Sequence, residues 1–285
     1  MPAVWAGGTL SLILSDNTAP YKEFAGNFSE AMQNSPWKIT ASTLGQTDTS
    51  SAPTLIVTVG VDAFRQTLQR HGSTPIIATL IGRQIYQKIL AESGAPRSRT
   101  TAIYIEQPYS RQVAFIRHLL PDKKRAGILI SSDSRADASS IRQAFISHRM
   151  TLDSEDSETE ESLLPALNTL FDRVDFLLAT PDPKIYKRDQ IKALLLTSYR
   201  HQKPVIAFSS AFVTAGALAA IFSSPKQIAR QTAEMVISHG ANLAPAEYPE
   251  QFSIATNRNV ADALNLRIAE DAELRRVLAS SKEVK

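Results

Sequence analysis

Short apolar runs alternate with helical patterns along the whole chain. The runs at Thr9–Leu14, Thr54–Val59 and Pro75–Leu80 are continuous and partly β-branched, which is typical of strands covered on both faces. Between the first two, apolar residues recur at helical spacing within Tyr21–Met32. Strands and helices that alternate in this way predict parallel sheets of the doubly wound type. About ten strands are too many for one ordinary sheet, so we predict two sheets of five or six strands.

Polar residues follow almost every predicted strand. In open α/β sheets, ligands bind outside the carboxyl ends of the strands, so these residues form a candidate ligand-binding collar. Most are serines, aspartates or a glycine, and the same residue types also cap the helices that follow. Capping and ligand contact therefore remain alternatives at each position. The collar contains no histidine or lysine base and no activated nucleophile, which favours binding over catalysis.

Composition excludes several classes of protein. The 285 residues are 43% hydrophobic, with a net charge of +3 and no cysteine. Disulfides, thiolate metal sites and cysteine nucleophiles are therefore excluded. The basic residues are scattered, whereas nucleic-acid binding requires a denser basic surface, so we predict no nucleic-acid partner. No apolar run approaches the roughly 18 to 20 residues that span a bilayer.

Catalytic and metal-binding signatures are missing as well. The glycine-rich phosphate loops, the G-x-S-x-G elbow and HExxH do not occur. The acidic run Asp153–Ser162 lacks the central glycine of a calcium loop, and we interpret it as a solvated cap of the helix that follows. We therefore predict no catalytic residue, no metal site and no cofactor.

Three segments of the second half resemble one family. They are QPYSRQVAFIRHLLPDKKRAGILIS (Gln107–Ser131), VDFLLATPD (Val174–Asp182) and KPVIAFSSAFVTAGALA (Lys203–Ala219), and IATNRNVADALNL (Ile254–Leu266) follows them. In order and spacing they are similar to the substrate-binding proteins of ABC transporters, in the subfamily related to tryptophan- and tyrosine-binding members. The resemblance covers roughly Leu10 to Ile268.

This resemblance implies a type 1 periplasmic-binding fold. Two Rossmann-like α/β lobes with parallel sheets would be joined by three crossovers, near Glu106–Pro108, near Ser209–Phe212 and before Phe252. The expected boundaries are 1–106 plus about 209–250 for lobe 1, and 107–208 plus about 251–268 for lobe 2. Residues 269–285 would form a charged C-terminal tail outside both lobes, either helical or frayed.

The resemblance also implies a function. We expect the periplasmic solute-binding component of an ABC-type importer, which is a monomer that closes by a hinge motion on a small polar, amino-acid-like ligand. Its partner would be an ABC permease in the inner membrane. The alternative is a non-transport binding module of the same fold that acts as an envelope sensor or regulatory partner. We interpret Val4-Trp5-Ala6 before Gly7-Gly8 as the remnant of a removed signal peptide.

Eleven residues are our candidates for contact with the ligand. Asp182 is the candidate partner of a ligand ammonium group, and serine hydroxyls are candidate partners of a carboxylate. Several cleft positions differ from the family's pattern, such as Val61, Ala136 and Ala229, so aromatic amino-acid binding does not simply transfer. The candidates are Ser15, Asp16, Tyr21, Gly60, Val61, Ser132, Asp133, Asp182, Ser209, Ser210 and Phe212.

Overall fold

The chain folds as two α/β units. The computed structural model describes residues 7–46, 52–70 and 73–280, so the proposed signal remnant at Val4–Ala6 lies outside the described residues. The first unit takes the chain up to Ile105 and again from Ser223 to Phe252, and the second unit takes the remainder. Two units with mostly parallel sheets confirm the predicted fold class.

The helices and strands alternate throughout. In the residues up to 105 they are β1 (Thr9–Leu14), α1 (Ala19–Ala31), β2 (Lys38–Thr43), β3 (Leu55–Val59), α2 (Val61–Arg70), β4 (Ile76–Ile81), α3 (Arg83–Ser93) and β5 (Thr100–Tyr104). From residue 106 onward they are α4 (Tyr109–Leu119), β6 (Arg125–Ile130), α5 (Ala138–Ser147), β7 (Thr151–Asp156), α6 (Glu160–Phe171), β8 (Phe176–Leu178), α7 (Ile191–Arg200), β9 (Val205–Ala207), α8 (Ser210–Ala215), β10 (Ala219–Phe222), α9 (Pro225–His239), β11 (Ser253–Thr256), α10 (Arg258–Ala263) and α11 (Asp271–Ser280). None of these described helices is both long and apolar enough to cross a membrane.

The first unit is built on a parallel sheet with the strand order β2-β1-β3-β4-β5 in the described residues. Its central strand β3 is fully buried because helices cover both faces. Phe24 and Phe28 of α1 join Ile228 of α9 in the core on one face. Phe64 of α2 and Ile89 of α3 lie in the core on the other face. This arrangement places the carboxyl ends of β1 and β3 side by side at the middle of one edge.

The second unit has the strand order β11-β10-β9-β8-β6-β7 in the described residues. All neighbours are parallel except β10 and β11, so the expected parallel sheet carries one antiparallel edge strand. Leu167 and Leu170 of α6 and Leu194 of α7 form the core on one face together with Phe212 of α8. The carboxyl ends of β6, β7 and β8 are again neighbours.

The second crossover does not lie near Ser209–Phe212. The chain passes to the first unit between Phe222 and Ser223, after α8 and β10 have been added to the second unit. Strand β10 was missed because it has only four residues, and two of them, Ala219 and Ala220, are small. It is a strand because it pairs with both β9 and β11, which compensates for its weak local signal.

The predicted tail 269–285 is also corrected in its described part. Helix α11 belongs to the second unit, and Leu274 and Leu278 are buried at 1% and 0% exposure. The Thr256 hydroxyl donates a hydrogen bond of 2.6 Å to Asp271 at the start of the helix. Two buried leucines one turn apart make this segment an integral helix of the unit.

Candidate functional site

At the edge of the first unit, Ser15 joins the ends of two neighbouring strands. It follows β1, and its hydroxyl donates a 3.0 Å hydrogen bond to the carbonyl of Val59 at the end of β3. The same oxygen accepts a 2.9 Å hydrogen bond from the N–H of Ala63. Ser15 therefore satisfies one of the N–H groups at the start of α2 that have no partner within the helix.

Gly60 and Tyr21 lie directly beside Ser15. Gly60 has φ of +93°, and a Cβ atom placed there would lie 2.6 Å from both the Ser15 hydroxyl and the Tyr21 hydroxyl. The backbone therefore approaches these two hydroxyls as closely as a glycine permits. Burial raises the pKa of Tyr21, and the charges of Asp16 and Asp62 raise it further. At neutral pH the Tyr21 hydroxyl thus stays protonated and can both donate and accept a hydrogen bond.

The two other candidates of the first unit lie at helix starts. Asp16 accepts a 2.7 Å hydrogen bond from the N–H of Thr18, just before α1. Val61 is the first residue of α2 and is half-buried. The structure therefore brings Ser15, Tyr21 and Gly60 into direct contact, with Asp16 and Val61 adjoining them.

In the second unit, Asp182 is a buried carboxylate that links the segments following β6 and β8. It is 3% exposed and lies after β8. One carboxylate oxygen accepts hydrogen bonds from the Ser131 hydroxyl at 2.7 Å and the Ser134 hydroxyl at 2.6 Å. The other oxygen accepts from the N–H of Lys184 at 2.9 Å. These bonds explain its burial, because a buried carboxylate requires hydrogen-bond donors around it.

Four residues near Asp182 are more exposed than it is, and we call them the edge cluster: Ser132, Asp133, Glu158 and Lys184. The Ser132 hydroxyl donates to Glu158 at 3.1 Å, and the Ser132 N–H donates to the other oxygen of the same carboxylate. The Lys184 ammonium donates to the Ser132 hydroxyl oxygen at 2.6 Å and lies 3.4 Å from Asp133 and 3.6 Å from Glu158. Charged groups of both signs therefore meet at the ends of β6, β7 and β8.

The three candidates after β9 have different environments. The Ser209 hydroxyl accepts a 3.3 Å hydrogen bond from the N–H of Phe212 and caps α8, whereas Ser210 is exposed. Phe212 is 2% exposed and belongs to the core. Its ring packs edge-on against Tyr186 and Phe208, with ring centres 6.0 and 5.7 Å away. Of these three aromatic residues, Tyr186 and Phe212 are buried and only Phe208 is partly exposed.

Sequence reasoning missed Glu158 and Lys184. Glu158 was assigned to a helix cap, because the acidic residues Asp153–Asp156 disguised the second half of β7. Lys184 lies in the segment between β8 and α7, two residues after Asp182, and the strand-end rule did not include it in the collar. The predicted collar therefore lacked a cation that the structure places at its surface.

The described residues contain no group of three or more histidine, cysteine, aspartate or glutamate side chains arranged to hold a metal ion. What the two edges do offer is hydroxyls, backbone N–H groups, carboxylates and one ammonium. Groups of this kind hydrogen-bond a polar molecule.

A family comparison agrees with this geometry. The family model described as ABC transporter substrate binding protein matches residues 27–284. The chain belongs to this family. A search of curated proteins finds no match.

Solved structures share the fold of this family member at low sequence identity. An ABC domain from Streptococcus pneumonia in complex with L-Trp has a TM-score of 0.67 and 15% identity, over 96% of this chain and 99% of that one. The ligand-free, open structure of CD0873 from Clostridium difficile, a substrate binding protein with adhesive properties, has a TM-score of 0.72 and 13% identity, over 93% and 97%. An ABC transporter solute binding protein from Agrobacterium vitis bound with α-D-tagatopyranose has a TM-score of 0.54 and 13% identity, over 92% and 99%. At these identities the likeness establishes the fold of the substrate-binding protein and leaves its ligand open.

Proposed function

We propose that this substrate-binding protein is the solute-binding component of an ABC-type importer in the periplasm. It binds a small polar, amino-acid-like molecule, acts as a monomer and delivers the ligand to a permease in the inner membrane. The family match over residues 27–284 is the observation that carries this proposal. The polar groups at the strand ends of each unit support it, because ligands of open α/β sheets bind outside the carboxyl ends of the strands.

In the first unit, the ligand contacts are the Tyr21 and Ser15 hydroxyls and the backbone beside Gly60. Of these groups, the Tyr21 hydroxyl is the most available for a hydrogen bond to the ligand, because the Ser15 hydroxyl already donates to Val59 and accepts from Ala63. Replacing Tyr21 by phenylalanine removes one hydroxyl and keeps the ring. We expect this variant to bind about tenfold more weakly, the loss that accompanies one hydrogen bond of about 1 kcal/mol or somewhat more.

In the second unit, the exposed members of the edge cluster and Ser210 are the contacts. Asp182 stabilises the segments that carry these contacts and does not contact the ligand itself, because its oxygens already accept hydrogen bonds from Ser131, Ser134 and Lys184. Phe212 likewise supports the site as part of the core. The half-exposed ring of Phe208 provides apolar surface beside these polar groups.

A thermal-shift panel tests the proposal. Amino acids, amines, polyamines, nucleosides and sugars are each added to the purified chain. A ligand present at about a hundredfold over its dissociation constant stabilises the folded state by roughly 2.7 kcal/mol, which is a clear shift in the melting temperature. The Tyr21→Phe variant is the matched control for each hit. A panel without any shift would contradict the proposed function.

The second candidate function is a binding module without transport. It is favoured by one similar structure, CD0873, whose description combines substrate binding with adhesive properties. Uptake of the panel's ligand by cells with and without the chain separates the two functions. Loss of uptake on deletion supports transport, and unchanged uptake with retained binding supports the binding module.

A further inference from the structure

The carboxylate of Glu158 is bound in the way that a protein binds a carboxylate ligand. Glu158 follows β7, and Ser132 follows the neighbouring strand β6. Its two oxygens take different donors from one residue, the backbone N–H and the hydroxyl of Ser132. Hydrogen bonds in which the acceptor is ionised are roughly twice as strong as neutral ones.

A third donor lies beside this pair. The Lys184 ammonium donates to the Ser132 hydroxyl oxygen at 2.6 Å and lies 3.6 Å from the nearer carboxylate oxygen of Glu158. The Ser132 hydroxyl thus receives a hydrogen bond from a cation and donates its own proton to Glu158. This polarises the hydroxyl and strengthens its bond to the carboxylate.

We propose that Ser132 and Lys184 form a carboxylate cradle that the protein's own Glu158 occupies, and that Glu158 thereby selects against ligands with a carboxylate at this position. The cradle consists of the Ser132 N–H, the Ser132 hydroxyl and the Lys184 ammonium. The side chains of Glu158 and Lys184 are 42% and 38% exposed, so solutes reach the cradle. This inference deepens the proposed function and rests on it for its biological meaning.

The exclusion follows from tethering and charge. A side chain held next to its donors competes at an effective concentration of about millimolar or more, far above a typical free ligand. A ligand carboxylate must also approach Asp133, whose carboxylate lies 3.4 Å from the Lys184 ammonium. With Glu158 in place, Lys184 is already matched by two carboxylates. The edge therefore accepts an ammonium, an amide or a hydroxyl in preference to a carboxylate.

The first experiment tests the cradle itself. The backbone amide signal of Ser132 is followed by ¹H–¹⁵N NMR while sodium acetate is added to the wild-type chain and to Glu158→Ala. We expect a saturable shift in the variant and none in the wild type. The double variant Glu158→Ala/Lys184→Met should lose most of that shift. Acetate binding to the wild type with the same affinity, or none to Glu158→Ala, would overturn the inference.

Asp156→Ala is the matched control. Asp156 lies two residues away and pairs with Arg135 at 3.0 Å, and Glu158 approaches the same guanidinium at 4.0 Å. The control removes one negative charge from the same edge and leaves the Ser132 contacts intact. If Asp156→Ala also gains acetate binding at Ser132, general charge explains the effect and the cradle is refuted.

The second experiment tests selectivity with pairs that differ by one carboxylate, such as L-phenylalanine with phenethylamine and L-lysine with cadaverine. The wild type should bind the amine of a pair at least as tightly as the amino acid, because its edge cluster gives the ligand carboxylate no free donor. Glu158→Ala should shift the preference toward the amino acid by about tenfold, the effect of one charge-assisted hydrogen bond. An unchanged preference contradicts the selection. Absence of binding by any ligand would count against the proposed function, while the acetate titration still decides the cradle.

Discussion

Asp182 is the residue whose replacement most sharply separates structural support from ligand contact. Its carboxylate accepts three hydrogen bonds of 2.6 to 2.9 Å and is 3% exposed. In Asp182→Ala, the fully buried Ser131 hydroxyl, the Ser134 hydroxyl and the N–H of Lys184 all lose their acceptor. Each net loss is about 1.5–3 kcal/mol for a bond to a charged group, but rearrangement recovers part of it. We expect the variant to lose about 3–5 kcal/mol of unfolding free energy.

The assay is urea unfolding without ligand, followed by two signals. Trp37 lies in the core of the first unit, so its fluorescence reports that unit, whereas far-UV circular dichroism reports both units. The Asp182→Ala transition should move to lower urea by circular dichroism more than by fluorescence. Asp189→Ala, an exposed aspartate in the same segment, is the control and should change stability by less than about 0.5 kcal/mol. Unchanged stability in Asp182→Ala would refute the supporting role and return the residue to the ligand contacts.

Three further predictions concern stability. Gly60→Ala should lower the free energy of unfolding by about 2–4 kcal/mol, because Gly60 has a φ of +93° and an added Cβ would lie 2.6 Å from two hydroxyls. Gly26→Ala, in an open helical position, should instead raise it by about 0.5–1 kcal/mol. Equal effects of the two substitutions in urea unfolding would contradict this prediction. Burial by itself would raise the pKa of Asp175, but hydrogen bonds from the Arg125 side chain and backbone outweigh it and hold the pKa at about 2. Since this is below the unfolded value of about 3.9, Asp175→Asn should lower the free energy of unfolding by about 1–2 kcal/mol above about pH 5. Most of this effect should be lost as the pH falls to about 2, and an effect independent of pH in urea unfolding from pH 7 to 2 is the contrary result. Leu278→Ala should lower the free energy of unfolding by about 2–4 kcal/mol, measured by urea unfolding followed by circular dichroism. An unchanged free energy would mean that α11 does not stabilise the second unit.

Much of the fold was predictable because hydrophobic periodicity determines local structure. Continuous apolar runs predicted β1, β3 and β4, and the helical spacing within Tyr21–Met32 predicted α1. The elements that escaped are those with weak local signals. Strand β10 has only four residues, two of them alanines, and the second half of β7 is acidic, so pairing with neighbouring strands determines both elements.

The candidate site was predictable only in outline. The strand-end rule brought Ser15 and Gly60 together, because their strands are neighbours in the first sheet. The same rule did not reveal that Asp182 is buried beneath Ser131 and Ser134, since the depth of a side chain depends on contacts distant in the chain.

The sequence by itself determined the class of the molecule: alternating strands and helices, two parallel sheets, a polar collar at the strand ends and the family that these features resemble. The tertiary structure alone decided which collar residues face solvent and which hold the edge together. Glu158 follows Ser132 by 26 residues, and Lys184 follows Glu158 by another 26. The three residues meet only because β7 and β8 both lie next to β6 in the sheet. Periodicity reports burial within one element, whereas the chemistry of an edge depends on which elements adjoin.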